Sequence, residues 1–230
     1  MNPVVISFGG SVLAPDEPQP KRLLATAKAI MGIAQDRHVF VVVGGGAPAR
    51  KAITAARQSG ATETELDEVG IAATRLNART FMAVLHGLGA LCNTHVPTTT
   101  DDAAASKRQI TVMGGTVPGH STDFVGAELA VKAGADRLVI ATNVDGVYSA
   151  DPRVDPAAVR LDRLSHQQLL QIAGGEWKEA GQSGVVDGPA TKLAAETGLP
   201  VCVVEGTNLA AVTAAAGGEP FHGTLVSEAP

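Results

Sequence analysis

Three short apolar runs in this 230-residue chain end in glycine clusters. Val4-Val5-Ile6 leads to Gly9-Gly10-Ser11, His38 to Val43 ends at Gly44-Gly45-Gly46, and Ile110 to Met113 ends at Gly114-Gly115-Thr116. Glycine accepts positive φ and lets a ligand come close against the main chain. Backbone N–H groups presented this way, with helix N-termini behind them, form a cradle for an anion. One such junction says little. Three at the C-terminal ends of strands, two of them running directly into helices, point to a bound polyphosphate. A fourth stretch, Ala141 to Pro152, follows the apolar run Leu138-Val139-Ile140 and carries different chemistry. Asn143, Asp145 and Asp151 offer hydrogen-bond acceptors there, and Tyr148, the one tyrosine of the chain, offers a flat face. In an open α/β sheet ligands sit where strands end and loops begin, so a nucleotide base and ribose fit this stretch. Taken alone it is an ordinary polar turn; the glycine loops are what raise it above that.

Several other chemistries are excluded by pattern. No GxxxxGK[ST] occurs, no strand leads into GxGxxG, and the protein-kinase set is missing. Gly181-Gln-Ser-Gly184 has the wrong spacing for a nucleophile elbow, which leaves Ser183 as a turn residue. The six histidines show no metal spacing such as HExxH, and only His120, in a Pro-Gly-His-Ser-Thr-Asp loop, is placed in a site. A formal charge of −5 argues against a nucleic-acid partner. It does not forbid a phosphate ligand, which needs only local N–H groups and one or two cations.

The elements that must position these residues follow from periodicity. Hydrophobic residues make up 45% of the chain and aromatics 3%, so the core is built from Ala, Val, Leu and Ile. Strands are expected at Val4–Ile6, His38–Val43, Ile110–Met113, Leu138–Ala141 and Val201–Val204, with a weak one at Thr224–Val226. Helical spacing runs from Lys21 to Gln35, from just before Pro48, from Leu66 to Leu88 along a Val69/Ala73/Leu76/Thr80/Val84 stripe, and from near Thr122. Thr98 to Gln109 reads as a polar connection. Ser165-His-Gln-Gln168 is a capping-box opening, Asp187 can cap a helix that Gly198 closes, and Asn208 opens a short one. Strands alternating with helices mean an α/β fold with a mainly parallel sheet covered on both faces. No linker divides the chain, although the alternation restarts near residue 135. The cysteines, Cys92 and Cys202, sit apart among apolar neighbours and are expected to be reduced core residues of an intracellular protein. No signal segment or membrane-length apolar run appears, so a soluble, cytoplasmic protein with no membrane partner is expected.

These segments resemble a known family. VVISFGGSVL, VVVGGGAPAR, DEVGIAATRLNA, VMGGTVPGHSTD, ATNVDGVYSADP and AGQSGVVD are similar, in order and spacing, to the amino acid kinase family, and within it to the archaeal type of UMP kinase. The resemblance implies a three-layer αβα sandwich in one domain spanning 1–230. Residues about 1–135 would bind the acceptor UMP, about 136–230 would bind ATP, and the usual assembly is a homohexamer. It implies transfer of the ATP γ-phosphoryl to UMP, with Mg²⁺ carried by the nucleotide and no dedicated metal site. It places Gly10, Ser11, Gly46, Arg50, Thr142, Asn143, Tyr148 and Asp151 at ATP. It places Gly45, Asp67, Thr116, Val117, Pro118, Gly119, His120, Ser121 and Thr122 at UMP, and makes Arg50, Asp123 and Asp187 the catalytic set. Of these, Asp187 is equally explained as a helix cap, and Asp67 as a first-turn carboxylate favoured by the helix dipole.

One position departs from the wider family: Ser7 stands where many members carry lysine, which leaves the cation at the transferring phosphoryl unassigned. Two alternatives stay open. The chain could be another kinase on this scaffold, such as an isopentenyl phosphate kinase, although Ala47-Pro48-Ala49-Arg50 stands where those carry a catalytic histidine after the triple glycine. It could also be a non-catalytic nucleotide-binding or storage protein, the reading that Ser7 favours.

Overall fold

The computed structural model describes residues 2–150, 154–173 and 186–228. Four fully buried β-branched or aromatic residues and the buried Ser7 make β1 (Val4–Phe8), and β2 (Val39–Val43) and β3 (Ile110–Met113) are buried throughout as well. Strands hidden on both faces carry continuous apolar runs, as parallel strands covered by crossover helices do. Between them lie α1 (Gly10–Leu13), α2 (Pro20–Ile33), α3 (Gly46–Gln58), α4 (Glu63–Gly87) and α5 (Thr100–Ala104). The second half supplies α6 (Thr122–Ala133), β4 (Leu138–Thr142) and a small hairpin of β5 (Val147–Tyr148) and β6 (Arg160–Leu161). Next come β7 (Arg163–Leu164), α7 (His166–Ala173), α8 (Gly188–Thr197), β8 (Val201–Glu205), α9 (Leu209–Gly217) and β9 (Thr224–Val226).

Among the described residues seven strands join one sheet in the order β3-β2-β1-β4-β8-β9-β7. Its pairings are parallel except β8 with β9. Alternate residues of each strand face opposite layers. Val4, Ile6 and Phe8 join Val39, Val41 and Val43 under α2, α4 and α9, where Ile30, Phe81, Met82, Leu85 and Val212 close the core. Val5, Phe40, Val42, Leu138 and Ile140 face α6 and α8, where Val125, Leu129 and Ala194 pack. The architecture is the expected three-layer αβα sandwich.

The helix boundaries carry their own causes. α4 starts at a reciprocal capping box, Thr62 with Glu65, whose carboxylate accepts the Thr62 N–H at 2.7 Å. The Ser165–Gln168 box opens α7, and Asp187 caps α8 by accepting from the Ala190 N–H at 2.6 Å. Gly198 ends α8 in the left-handed region, and Asn208 caps α9.

The expected inward stripe of α4 is a correction. Leu76 is 62% exposed and Thr80 is exposed; Leu66, Ala73, Thr74, Asn77, Ala78, Phe81, Met82 and Leu85 are buried instead. The helix has apolar residues around much of its girth, and the sheet selects the side carrying the aromatic and sulfur side chains. The Thr98–Gln109 connection contains α5, capped by Thr99. Both cysteines are buried and free, and burial pushes the Cys202 thiol up to about 11.

Candidate active site

Because β3, β2, β1 and β4 are parallel neighbours, their C-terminal ends lie along one edge of the sheet. The chain moves outward from β1 to β2 to β3, then returns to β4 and continues the other way. The crevice between the ends of β1 and β4 is therefore the topological switch point, where open α/β sheets bind ligands.

The glycine loops meet there. Gly10 lies flat against the second loop, so that a Cβ on it would overlap the Gly46 nitrogen. A Cβ on Gly44 would come within 2.5 Å of the Gly10 nitrogen. Gly46 has φ +59°, a conformation that side chains rarely adopt. The third loop joins through Thr74, whose hydroxyl accepts from the Gly115 N–H at 2.7 Å and whose methyl lies 3.7 Å from the Cβ position of Gly45. Gly10, Gly45 and Gly115 thus share one rim. α1 and α3 open from this rim at Gly9 and Gly45, and neither has a side-chain cap; the Ala47 N–H in the first turn of α3 donates to the Ala14 carbonyl at 2.9 Å, which ties the end of α1 to the start of α3.

On the β3 side, Thr116 to Ser121 forms a loop with Val117, Pro118 and Gly119 exposed. Asp67 accepts the Gly119 N–H at 2.7 Å, which fastens the loop to α4. Since α4 begins at Glu63, Asp67 sits in its second turn, not the first, and the dipole account of it falls away. The His120 ring lies 4.3 Å from that of Phe124. Among the described residues, the Thr116 hydroxyl and His120 Nδ1 are buried without a hydrogen-bond partner. Buried polar atoms left this way are costly and call for a partner, either water or a ligand.

Beneath the loop two carboxylates approach each other. Ser121 caps α6 through the Phe124 N–H and also donates to Asp187 at very short range, while Thr122 opens the helix. Asp123 accepts from the Ser7 hydroxyl at 2.9 Å. Desolvation first, and then the neighbouring Asp187 charge, push Asp123 up to about 7. Asp187 is raised as well, mainly by desolvation, with the Ser121 bond opposing. An added cation would offset the carboxylate charge that burial and mutual repulsion disfavour here.

Across the switch point, Thr142 ends β4 and its carbonyl accepts the Gly206 N–H at 2.7 Å. Asn143 is exposed beside it. Tyr148 donates to Asp145 at 2.8 Å, and Asp145 also holds Arg160 and His222, each at 3.1 Å. Burial works to raise Asp145, but the bonds from Tyr148, His222 and Arg160 outweigh it and hold the carboxyl below its ordinary range. Arg160 further pairs with Asp162 at 2.9 Å.

A family model described as the amino acid kinase family matches residues 2–205. The chain belongs to the amino acid kinase family. It is 48% identical over 208 residues to a uridylate kinase of Halorubrum lacusprofundi, covering 89% of this chain and 85% of that one. Its identity to a uridylate kinase of Natronomonas pharaonis is 44% over 222 residues, covering 94% and 95%. The crystal structure of uridylate kinase from Archaeoglobus fulgidus superposes with a TM-score of 0.86 at 42% identity, covering 97% of this chain and 99% of that one.

Within this amino acid kinase fold, Gly10, Ser11, Gly45, Gly46 and the Thr116–Thr122 loop gather around the crevice with Asp67, Asp123 and Asp187. Thr142, Asn143 and Tyr148 lie on its β4 side. Arg50 stands in the second turn of α3, half exposed, with its guanidinium 3.7 Å from Asp16. Asp151 lies outside the described residues, as do Ser183 and most of the AGQSGVVD segment. Sequence reasoning passed over Arg75 and Asn77 on α4. Arg75 donates to the carbonyls of Gly115 at 3.1 Å and Thr116 at 2.9 Å, and Asn77 to those of Gly44 and Gly45, each at 2.9 Å. The available signal was Thr74 and Asn77, polar residues three apart on a face that otherwise reads as core. Gly206 was passed over too: a Cβ on it would meet Val12 of α1 at 2.7 Å.

Proposed function

We propose that this chain is a UMP kinase: it transfers the γ-phosphoryl of ATP to UMP and releases UDP and ADP. The observation that carries this reading is the resemblance to uridylate kinases along nearly the full length of both chains, at 44% identity over 222 residues in one case. The convergence of the glycine loops at the switch point supplies the matching physical arrangement.

Phosphoryl transfer asks the protein mainly to hold two phosphates in line and to stabilise charge on the equatorial oxygens. In this reading Gly10, Ser11 and Gly46 present N–H groups to the ATP phosphates, and Thr142, Asn143, Tyr148 and Asp151 hold the adenosine. Gly45, Asp67 and the loop Thr116-Val117-Pro118-Gly119-His120-Ser121-Thr122 hold UMP, and the unpartnered Thr116 hydroxyl and His120 Nδ1 are its polar contacts. Asp67 would exchange the Gly119 N–H for the ribose. Arg50, free to leave its long exposed contact with Asp16, would turn to the phosphates and supply charge that Ser7 lacks.

Among the described residues no group of three or more His, Cys, Asp or Glu is placed to hold a metal. Asp123 and Asp187 fit Mg²⁺ that is held chiefly by nucleotide phosphates and touched by one or two carboxylates. Bound there, Mg²⁺ would neutralise charge on the transferring phosphoryl. The acceptor half, about 1–135, and the ATP half, about 136–230, meet at the β1–β4 pair. No helix among the described residues is long and apolar enough to cross a membrane. The reading is completed by a homohexamer in the cytoplasm that serves pyrimidine nucleotide synthesis.

The deciding assay measures ADP release with ATP, Mg²⁺ and each of UMP, CMP, dUMP, N-acetylglutamate and isopentenyl phosphate. UMP is expected to be the best acceptor. Preference for any other overturns the assignment, and no turnover with any of them favours a storage protein. Light scattering on the eluting particle tests the hexamer.

A further inference from the structure

One turn of α4 touches both halves of the acceptor site through the main chain. Asn77, buried on the sheet side of the helix, donates both of its amide hydrogens to successive carbonyls, Gly44 and Gly45, at 2.9 Å each. Two residues earlier, Arg75 spans the successive carbonyls of Gly115 and Thr116 with Nε and Nη2, at 3.1 and 2.9 Å. Between them Thr74 accepts the Gly115 N–H at 2.7 Å and returns its own proton to the Ile71 carbonyl at 2.6 Å. The glycines of both loops turn toward this residue: its methyl lies 3.7 Å from the Cβ position of Gly45 and its hydroxyl 3.3 Å from that of Gly115.

From this we infer that Thr74, Arg75 and Asn77 are a bracket that fixes the separation of the Gly44–Gly46 turn from the Gly115–Ser121 loop, with Arg75 as the positioning residue for the acceptor loop. The inference rests on the UMP kinase reading for its kinetic consequence and on geometry alone for its mechanical one. Arg75 suits the task because a planar guanidinium presents parallel N–H groups, whereas the ammonium of lysine is a single point that cannot match two carbonyls in a fixed plane. Helix α4 is a stiff support, since its other buried residues, Phe81, Met82 and Leu85, are locked in the core. Arg75 itself is only partly buried, so its replacement spares that core.

The test compares wild type, Arg75→Ala, Arg75→Lys and Asn77→Ala in two measurements. In steady-state kinetics Arg75→Ala is expected to raise KM for UMP at least tenfold with KM for ATP within twofold. Arg75→Lys is expected to fall between, and Asn77→Ala to raise both constants, because its loop faces both nucleotides. In amide hydrogen exchange without ligand, Arg75→Ala is expected to speed exchange across 115–121 at least tenfold and leave 44–46 unchanged, with Asn77→Ala acting on 44–46. A wild type that ignores UMP while the exchange pattern holds would refute the functional reading and keep the bracket. An active wild type whose Arg75→Ala form keeps its UMP KM within twofold and its 115–121 exchange unaltered would overturn the bracket. Equal increases in both KM values for Arg75→Ala would do the same.

Discussion

The loop after β3 and the hairpin after β4 face each other across the same crevice, yet they are held by different physics. Asp67, Thr74 and Arg75 on one long helix fasten the main chain of the first, gripping it at Gly115, Thr116 and Gly119. The second is fastened by a cluster of charges near the surface, with Asp145 accepting from Tyr148, Arg160 and His222, and Arg160 reaching on to Asp162. A helix-borne grip on backbone N–H and carbonyl groups sets distance along the loop. Charge clusters near the surface are screened within about 8–10 Å at ordinary ionic strength, so they hold more softly. On the UMP kinase reading, a loop that discriminates one base would gain from the first kind of anchor, and a pocket that admits ATP and releases ADP would tolerate the second.

The strongest test of the rigid side is Gly10→Ala. Its new methyl group would collide with the main chain of Gly46, with no flexible side chain to yield. We expect at least a hundredfold loss of turnover and a destabilisation of about 3 kcal/mol or more, seen in thermal unfolding. Near-normal activity would show that the two glycine loops separate freely and that the rim is not rigid.

Asp123→Asn lies where the two sides meet and should divide activity from stability. Turnover should fall about a hundredfold, in the range found when a single charge-stabilising group is removed. Stability should move the other way. The folded pKa of Asp123 is about 7, above its unfolded value, so the stability linked to its protonation is complete at low pH and is lost as pH rises toward 7 and beyond. Without nucleotide or Mg²⁺, the asparagine form should therefore gain on wild type between about pH 4 and 7, by on the order of 4 kcal/mol at most. Equal denaturation midpoints at pH 5 and pH 8 would show that the carboxyl is not desolvated as described.

The soft side is probed by Asp145→Asn. It leaves shape intact and removes the charge that gathers Tyr148, Arg160 and His222. An increase in KM for ATP of about fivefold to tenfold, with KM for UMP nearly constant, is expected from the loss of about 1–1.4 kcal/mol. In wild type, raising salt from 0.05 to about 1 M should shift the ATP constant more than the UMP constant. Parallel shifts would erase the contrast between the two anchors.

The smallest effect is expected from Thr62→Ala, which removes the capping box of α4 several residues before Asp67. Unfolding should cost about 1 kcal/mol less, with UMP affinity unchanged. A matching rise in UMP KM would mean that fraying at the start of α4 reaches the acceptor loop.

Much of this molecule was legible in the chain. The five long strands, the caps at Ser165, Asp187 and Asn208, and the three glycine loops were readable because each depends on neighbours in sequence: a β-branched run, a side chain three residues from an N–H, a backbone without Cβ. Elements of two to five residues, α1, α5 and the strands β5 to β7, escaped because their stability comes from contacts and not from local pattern. The α4 stripe was misjudged at Leu76 and Thr80 for a related reason, since a 25-residue helix with apolar residues on several sides offers more than one face.

What the residues alone determined was a set of parts: three turns able to receive phosphates and a polar loop around His120, with the carboxylates at 67, 123 and 187 added by the family resemblance. What tertiary structure decided was how those parts are held. Arg75 and Asn77 acquire meaning only when α4 crosses the ends of β2 and β3, and the raised pKa of Asp123 arises only when folding buries it, with Asp187, brought beside it from 64 positions away, adding to the shift. Hydrogen-bond partners and desolvation are properties of what surrounds a group, and those surroundings come into being only when the sheet assembles.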